Sequence, residues 1–130
     1  MTPSRLWHVA LAAEWEAAAA GGGYRTSTFG RTLDEEGFTH CSQAAQVEGV
    51  VRRYYGAVDE PLLLLELDPS RLTCPVVEEV PKGATEAYPH LYGPIDVGAV
   101  VAVHHLARRE DGSVSFPSAL TGPGATGPSS

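Results

Sequence analysis

The spacing of apolar residues along this chain changes period repeatedly, and each change marks an element. Arg5 to Val9 reads as a short strand. From Leu11 the apolar positions Leu11, Trp15, Ala18 and Ala19 recur at helical spacing, and Gly21-Gly22-Gly23 ends that helix because glycine tolerates the left-handed geometry of a helix exit. Tyr24 to Glu36 holds charges and small residues without a sustained period, which predicts a long loop. Phe38 to Cys41 follows as a brief strand. Next comes a helix with an inner face of Val47, Val50, Val51, Tyr54 and Tyr55, stopped at Gly56.

The run from Pro61 to Asp68 is almost continuously apolar and bounded by turn residues, as expected of a central strand buried on both faces. Asp68-Pro69-Ser70-Arg71-Leu72 turns the chain, Val76 to Val80 is a strand, and Pro81-Lys82-Gly83-Ala84 turns it again. Val97 to Leu106 is valine-rich and gives the last strand. The pattern predicts an α+β domain over residues 1–110, with two main helices and about five or six short strands. Residues 111–130 shift to Gly, Ser, Pro, Thr and Ala, and are expected to form a flexible tail outside the fold.

Composition narrows the function classes. A chain of 130 residues with 43% apolar content builds one core. Sixteen acidic against nine basic residues give a net charge of -7, which argues against a general nucleic-acid or anionic-membrane binder. Lys82 is the only lysine, and the pairs Arg52/Arg53 and Arg108/Arg109 read as solvated faces. No apolar stretch approaches the roughly 20 residues needed to cross a bilayer, and Met1 to Arg5 lacks the pattern of a secretion signal, so a cytoplasmic protein is expected. Cys41 lies within a motif and Cys74 precedes Pro75 in a turn, so a structural disulfide is not expected.

Two short runs concentrate the chemistry. In Gly37-Phe38-Thr39-His40-Cys41-Ser42 a strand ends where a helix begins, so Ser42 reads as a cap beside N–H groups that could face an anion. Cys41 reads as a core thiol, since His40 beside it on a strand points to the opposite face. His40 reads as functional. In Pro89-His90-Leu91-Tyr92-Gly93-Pro94 the prolines and glycine shape the backbone, and alternation puts His90 and Tyr92 on one face. That face would offer an imidazole and a phenol for proton transfer or for gripping a ribose, or else Tyr92 packs in the core as part of a rigid turn.

His8 alone reads as a satisfied strand residue, Glu66 as solvent-facing at a strand end, and His104 and His105 as surface residues. Glu78, Glu79 and Glu86 place carboxylates near the second run. His8, His40, Cys41 and His90 are of metal-ligand type, but their spacing matches no zinc motif and no metal is expected. Nucleotide-binding and nucleophile-elbow motifs are missing as well.

Taken in order, Trp7-His8-Val9, Ala13-Glu14-Trp15, Gly37 to Ser42 with Gln46, Leu64 to Asp68, and Tyr88 to Pro94 resemble the small bacterial domain-of-unknown-function 952 family, from about Leu6 to Leu106. Thr39 stands where the family usually has isoleucine, and Tyr88 where phenylalanine is usual. The resemblance implies a compact split-sheet fold like that of ADP-ribosyltransferases, with NAD as candidate substrate in the cleft between sheets. It also implies that His8, Ser42 and Tyr92 bind substrate while His40 and His90 act as acid–base or orienting groups. ADP-ribose transfer passes through an oxocarbenium-like state and needs a carboxylate, for which Glu66, Glu78, Glu79 and Glu86 are the candidates. The expected function is a cytoplasmic enzyme acting on a nucleotide or other small anionic molecule. The competing expectations are a non-catalytic metabolite- or protein-binding module, and an enzyme tailoring a small molecule unrelated to NAD.

Overall fold

The structure, a computed structural model, describes residues 5–28, 30–111 and 113–121. In chain order the strands are β1 (Leu6–Leu11), β2 (Thr26–Thr28), β3 (Arg31–Thr32), β4 (Thr39–His40), β5 (Leu62–Leu67), β6 (Val76–Glu79), β7 (Tyr88–Leu91), β8 (Val100–Arg108) and β9 (Val114–Ser115). The helices are α1 (Ala12–Ala17), α2 (Leu33–Glu36), α3 (Val47–Tyr55) and α4 (Ser118–Thr121). One sheet runs β1-β5-β8-β9, a second runs β4-β7-β6, and β2 with β3 makes a hairpin. All these pairings are antiparallel.

β5 is central because both its faces are apolar. Leu62 and Leu64 join Val9, Leu11 and Leu106 beneath the α3 residues Val47, Val50, Val51 and Tyr55, while Leu63, Leu65 and Leu67 pack with Ala10, Trp15, Tyr24 and Leu91 on the other side. Each of these leucines contributes roughly 1.5–3 kcal/mol of burial. The two larger sheets are tied where Trp7 and Ser42 exchange backbone hydrogen bonds of 2.9 and 2.8 Å. Among the described residues no helix is long and apolar enough to cross a membrane.

The α+β class is as expected; several boundaries are not. The stretch 24–36, read as a loop, contains β2, β3 and α2. Its strands are two or three residues long, too short to display a period, and α2 is held by a capping box in which Thr32 Oγ1 accepts from Glu35 N and Glu35 Oε1 accepts from Thr32 N. The first helix is brief and continues as a π-helical turn, Ala18–Gly22. Val97–Ala99 forms a 3-10 turn before β8 rather than part of the strand.

The domain also continues past residue 110. β9 pairs with β8, and Leu120 is buried with Phe116 and Val114 against the α3 face, because these few apolar residues find a groove that composition alone does not reveal. Residues 1–4 and the remainder of the expected tail, 122–130, lie outside the described residues. His104, expected at the surface, is half-buried: its Nε2 donates to Glu66 Oε1 at 3.0 Å and its ring lies 5.9 Å from Trp7. Alternation along β8 turns His104 inward and leaves His105 exposed.

Candidate functional site

The three-stranded sheet assembles the site through its register. His40 on β4 stands directly opposite His90 on β7, and residues so placed in an antiparallel pair share a face. Their ring centroids are 5.5 Å apart. Alternation brings Phe38 to the same face as His40, and Tyr88 and Tyr92 to the same face as His90. Phe38 stacks on His90 at 3.9 Å with planes 12° apart, and Tyr88 lies 5.2 Å from His40. Tyr54 of α3 completes the aromatic surround, 6.2 Å from His40.

On β6, Glu79 lies opposite Tyr88 and diagonal to His90. Its Oε1 accepts from His90 Nδ1 at 2.7 Å and from the Tyr92 hydroxyl at 2.5 Å. These two donors hold the Glu79 carboxyl below the usual glutamate range, with Tyr92 the larger cause, and the same bond pushes the Tyr92 phenol up. Because a carboxylate only accepts, the Nδ1 proton of His90 is fixed and Nε2 is its free position. Of the four candidate carboxylates, Glu79 is the one joined to His90. Glu66 pairs with Arg5 and His104 on the four-stranded sheet, Glu86 accepts from Gln46, and Glu78 lies opposite Pro89, one residue out of phase with Glu79.

His8 takes a supporting place. Its Nδ1 donates to the His40 carbonyl at 2.6 Å, and the Tyr24 hydroxyl donates to its Nε2 at 2.9 Å. Burial lowers its pKa to about 4, so the ring is neutral at pH 7 and suited to one donation and one acceptance. Both ring nitrogens of His8, the residue that the resemblance implies binds substrate, are thereby committed within the protein.

Ser42 does not cap α3: its backbone is spent on the bridge to Trp7, and a 3-10 turn, Ala44–Gln46, intervenes with Gln46 Oε1 accepting from Gln43 N. The Ser42 side chain, like His8, borders a recess too narrow for a water molecule, shared with Ser27, Thr28, His40 and Val50. Cys41 is fully buried and its thiol is pushed up to about 12 by that burial, which suits a core residue and not a nucleophile.

His40 is the hinge between this recess and an open cavity. Burial, then the neighbouring His8 and His90, lower its pKa to about 4. The cavity, about 160 Å³, is lined by His40, Val50, Arg53, Tyr54, Lys82 and Tyr88 among others. Tyr54, expected in the core face of α3, is exposed at the cavity, while its neighbour Tyr55 takes the core position and donates to the Val9 carbonyl. Arg53, expected on a solvated face, lines the same cavity. Buried polar atoms without a hydrogen-bond partner among the described residues are Ser27 Oγ, Thr28 Oγ1, His40 Nε2 and His90 Nε2, all on residues of this region. Such atoms are uncommon in folded proteins and costly unless something pairs with them.

Sequence reasoning anticipated His40, His90 and Tyr92 but not Phe38, Tyr88, Ser27 or Thr28. Alternation about His40 and His90 was a signal available for the first two; the hydroxyls of β2 carried none. Among the described residues no group of three or more His, Cys, Asp or Glu side chains is placed to hold a metal ion.

Fold and site together define a small antiparallel α+β domain bearing a carboxylate-oriented histidine pair on one sheet face. The family model described as "Protein of unknown function (DUF952)" matches residues 9–103, and the chain belongs to that family. Protein CC0527 from Caulobacter crescentus has a similar structure: its crystal form is 26% identical, with a TM-score of 0.74 over 91% of this chain and 99% of that one. The solution NMR structure of CC0527 is 28% identical, with a TM-score of 0.66 over 85% of this chain and 90% of that one. No curated protein matches the chain.

Proposed function

We propose that this protein is an enzyme that moves protons on a small, polar, anionic substrate, with His40 and His90 as its acid–base pair. The observation that carries the reading is the pair itself: two imidazoles 5.5 Å apart, each with a buried and unpartnered Nε2. His90 is oriented by Glu79 as a base is oriented by a carboxylate in a catalytic triad, leaving a lone pair on Nε2 in the neutral ring. His40, neutral at pH 7 by virtue of its lowered pKa, holds the facing position at the cavity wall. Phe38 stacks on the His90 ring, Tyr92 steadies the Glu79 carboxylate that orients it, and His8 pins the backbone of His40, which favours efficient proton transfer.

A second reading, ADP-ribosyl transfer from NAD, is favoured by one specific feature. Glu79 supplies a carboxylate within the histidine cluster, where stabilising an oxocarbenium-like sugar would require one. It shares the site and differs in substrate.

Melting the protein with nucleotides, sugar phosphates, NAD and ADP-ribose tests both, because a ligand that prefers the folded state raises the melting temperature with its concentration. A ligand so found should be turned over, and His40→Ala and His90→Ala should each lower kcat/KM by roughly 100- to 10,000-fold while the fold survives. Silence across the whole panel, or turnover that persists in both variants, removes the proposal.

A further inference from the structure

The cavity beside His40 has a chemical character of its own. Arg53, on α3, and the chain's only lysine, Lys82, on the β6–β7 turn, both line it. In a protein of net charge -7 these are two cations at one opening; a second cavity, lined by Arg52, Arg108 and Arg109 with Glu48, gathers cations as well, but Arg52 is paired with Glu48 there. Among the described residues neither Arg53 nor Lys82 is in an ion pair, whereas Arg5, Arg25, Arg31, Arg52 and Arg71 each meet a carboxylate. The one carboxylate of the β6–β7 turn, Glu86, is taken by Gln46, whose Nε2 donates to Glu86 Oε1 and to the Ala87 carbonyl. Two cations outside any ion pair at one opening can attract an anion; Gln46, being neutral, holds the Glu86 side chain in place without cancelling its charge.

Tyr54 and Tyr88 line the same cavity, with Arg53 5.7 Å from the Tyr54 ring centroid. Their faces suit a flat ring, as aromatic walls do in small-molecule sites. Size then limits the ligand. At about 160 Å³ the cavity falls below the roughly 300–1,000 Å³ of sites that enclose a drug-sized molecule, so it takes a phosphate and one ring rather than both halves of a dinucleotide.

We infer that Arg53 and Lys82 form a phosphate subsite and that Tyr54 and Tyr88 receive a planar ring, so that the substrate class is a small aromatic or nucleoside monophosphate delivered to His40. The inference deepens the acid–base reading and rests on it for the chemistry, but its binding half stands alone. The anion site lies here, and not at the start of α3 where Ser42 was expected to provide it.

Isothermal titration with inorganic phosphate, phenyl phosphate, a nucleoside monophosphate and NAD, on the wild type and on the R53Q/K82Q and Y54A variants, tests it. Phenyl phosphate should bind about 5- to 150-fold more tightly than inorganic phosphate, the range that a stacked ring supplies. It should also weaken with added salt, since the attraction is between charges at an exposed rim. R53Q/K82Q should lose binding of every phosphate, and Y54A should narrow the gap between phenyl phosphate and inorganic phosphate.

Absence of phosphate binding, binding indifferent to R53Q/K82Q, or NAD binding more tightly than the monophosphates each overturns the inference. H40A separates it from the broader reading. Retained phenyl phosphate binding in H40A, with no turnover of any monophosphate by the wild type, leaves the subsite standing and sinks the enzyme. Turnover of an unphosphorylated compound without phosphate binding does the reverse.

Discussion

His40 and His90 are the same residue type held in different company, and the difference is what makes them a pair. His40 is stripped of water beside two other imidazoles, so its charged form is disfavoured. His90 is almost wholly buried yet shares its Nδ1 proton with a partly exposed carboxylate. Glu79→Gln should reveal that contact: a carboxamide can offer an N–H to Nδ1 and so drive the His90 proton to Nε2. Imidazole ¹⁵N chemical shifts would report the exchange of tautomers, with little change in stability, because a pair with one exposed partner contributes little. An unchanged ¹⁵N pattern would mean that Glu79 does not set the tautomer.

Gly93 is a second informative residue. A Cβ there would meet Cys74 Sγ at 2.2 Å and Cys74 Cβ at 2.8 Å, and the Gly93 carbonyl accepts from Thr39 Oγ1 at 2.7 Å. Gly93→Ala should therefore cost about 1–3 kcal/mol by overpacking, measured by urea denaturation, and a Cys74→Gly background should recover part of it.

At the scale of elements, the two parts missed in the sequence are short, and each is held by something other than periodicity. α2 depends on its capping box, so Thr32→Ala should destabilise by about 1 kcal/mol. The Thr32-x-x-Glu35 spacing went unread, because the helix behind it is only four residues long and shows no period. β9 and α4 depend on Leu120, which is 5% exposed in the cluster under α3. Leu120→Ala should cost about 2–4 kcal/mol, seen as a lower urea midpoint at unchanged slope; a midpoint within 0.5 kcal/mol of wild type would return these residues to the status of a tail. α3 itself was read correctly because Val47, Val50, Val51 and Tyr55 repeat over two turns, and a long repeat averages out local exceptions such as Tyr54.

At the scale of the whole molecule, stability is tied to neutral histidines. His8 and His40 each fall from 6.5 to about 4 on folding, so between pH 6.5 and 4 the unfolded chain binds more protons than the folded one. Unfolding free energy therefore drops as pH falls through that window, and the contribution is fully present above pH 6.5. For His8 alone this amounts to roughly 3 kcal/mol. Loss of the Glu79 bonds on protonation acts in the same direction at lower pH. His8→Leu should flatten the pH dependence measured by urea denaturation between pH 4 and 6.5. At pH 7 it should also cost about 1–3 kcal/mol, since the Tyr24 hydroxyl and the His40 carbonyl lose their partner.

What the sequence determined by itself was whatever repeats within a few residues. The α+β class, the buried strand from Leu62, the amphipathic face of α3 and the shared face of His90 and Tyr92 all follow from periods of 2 or 3.6, which backbone geometry imposes locally. What only the tertiary structure decided was which distant residues meet. That His40 faces His90 depends on strand register, that Glu79 rather than Glu66, Glu78 or Glu86 joins them depends on a diagonal between β6 and β7, and that Arg53 and Lys82 share one opening depends on how a helix lies beside a turn. These are matters of packing across 11 to 50 positions of chain, from Glu79 to His90, from Arg53 to Lys82 and from His40 to His90, and no local period encodes them.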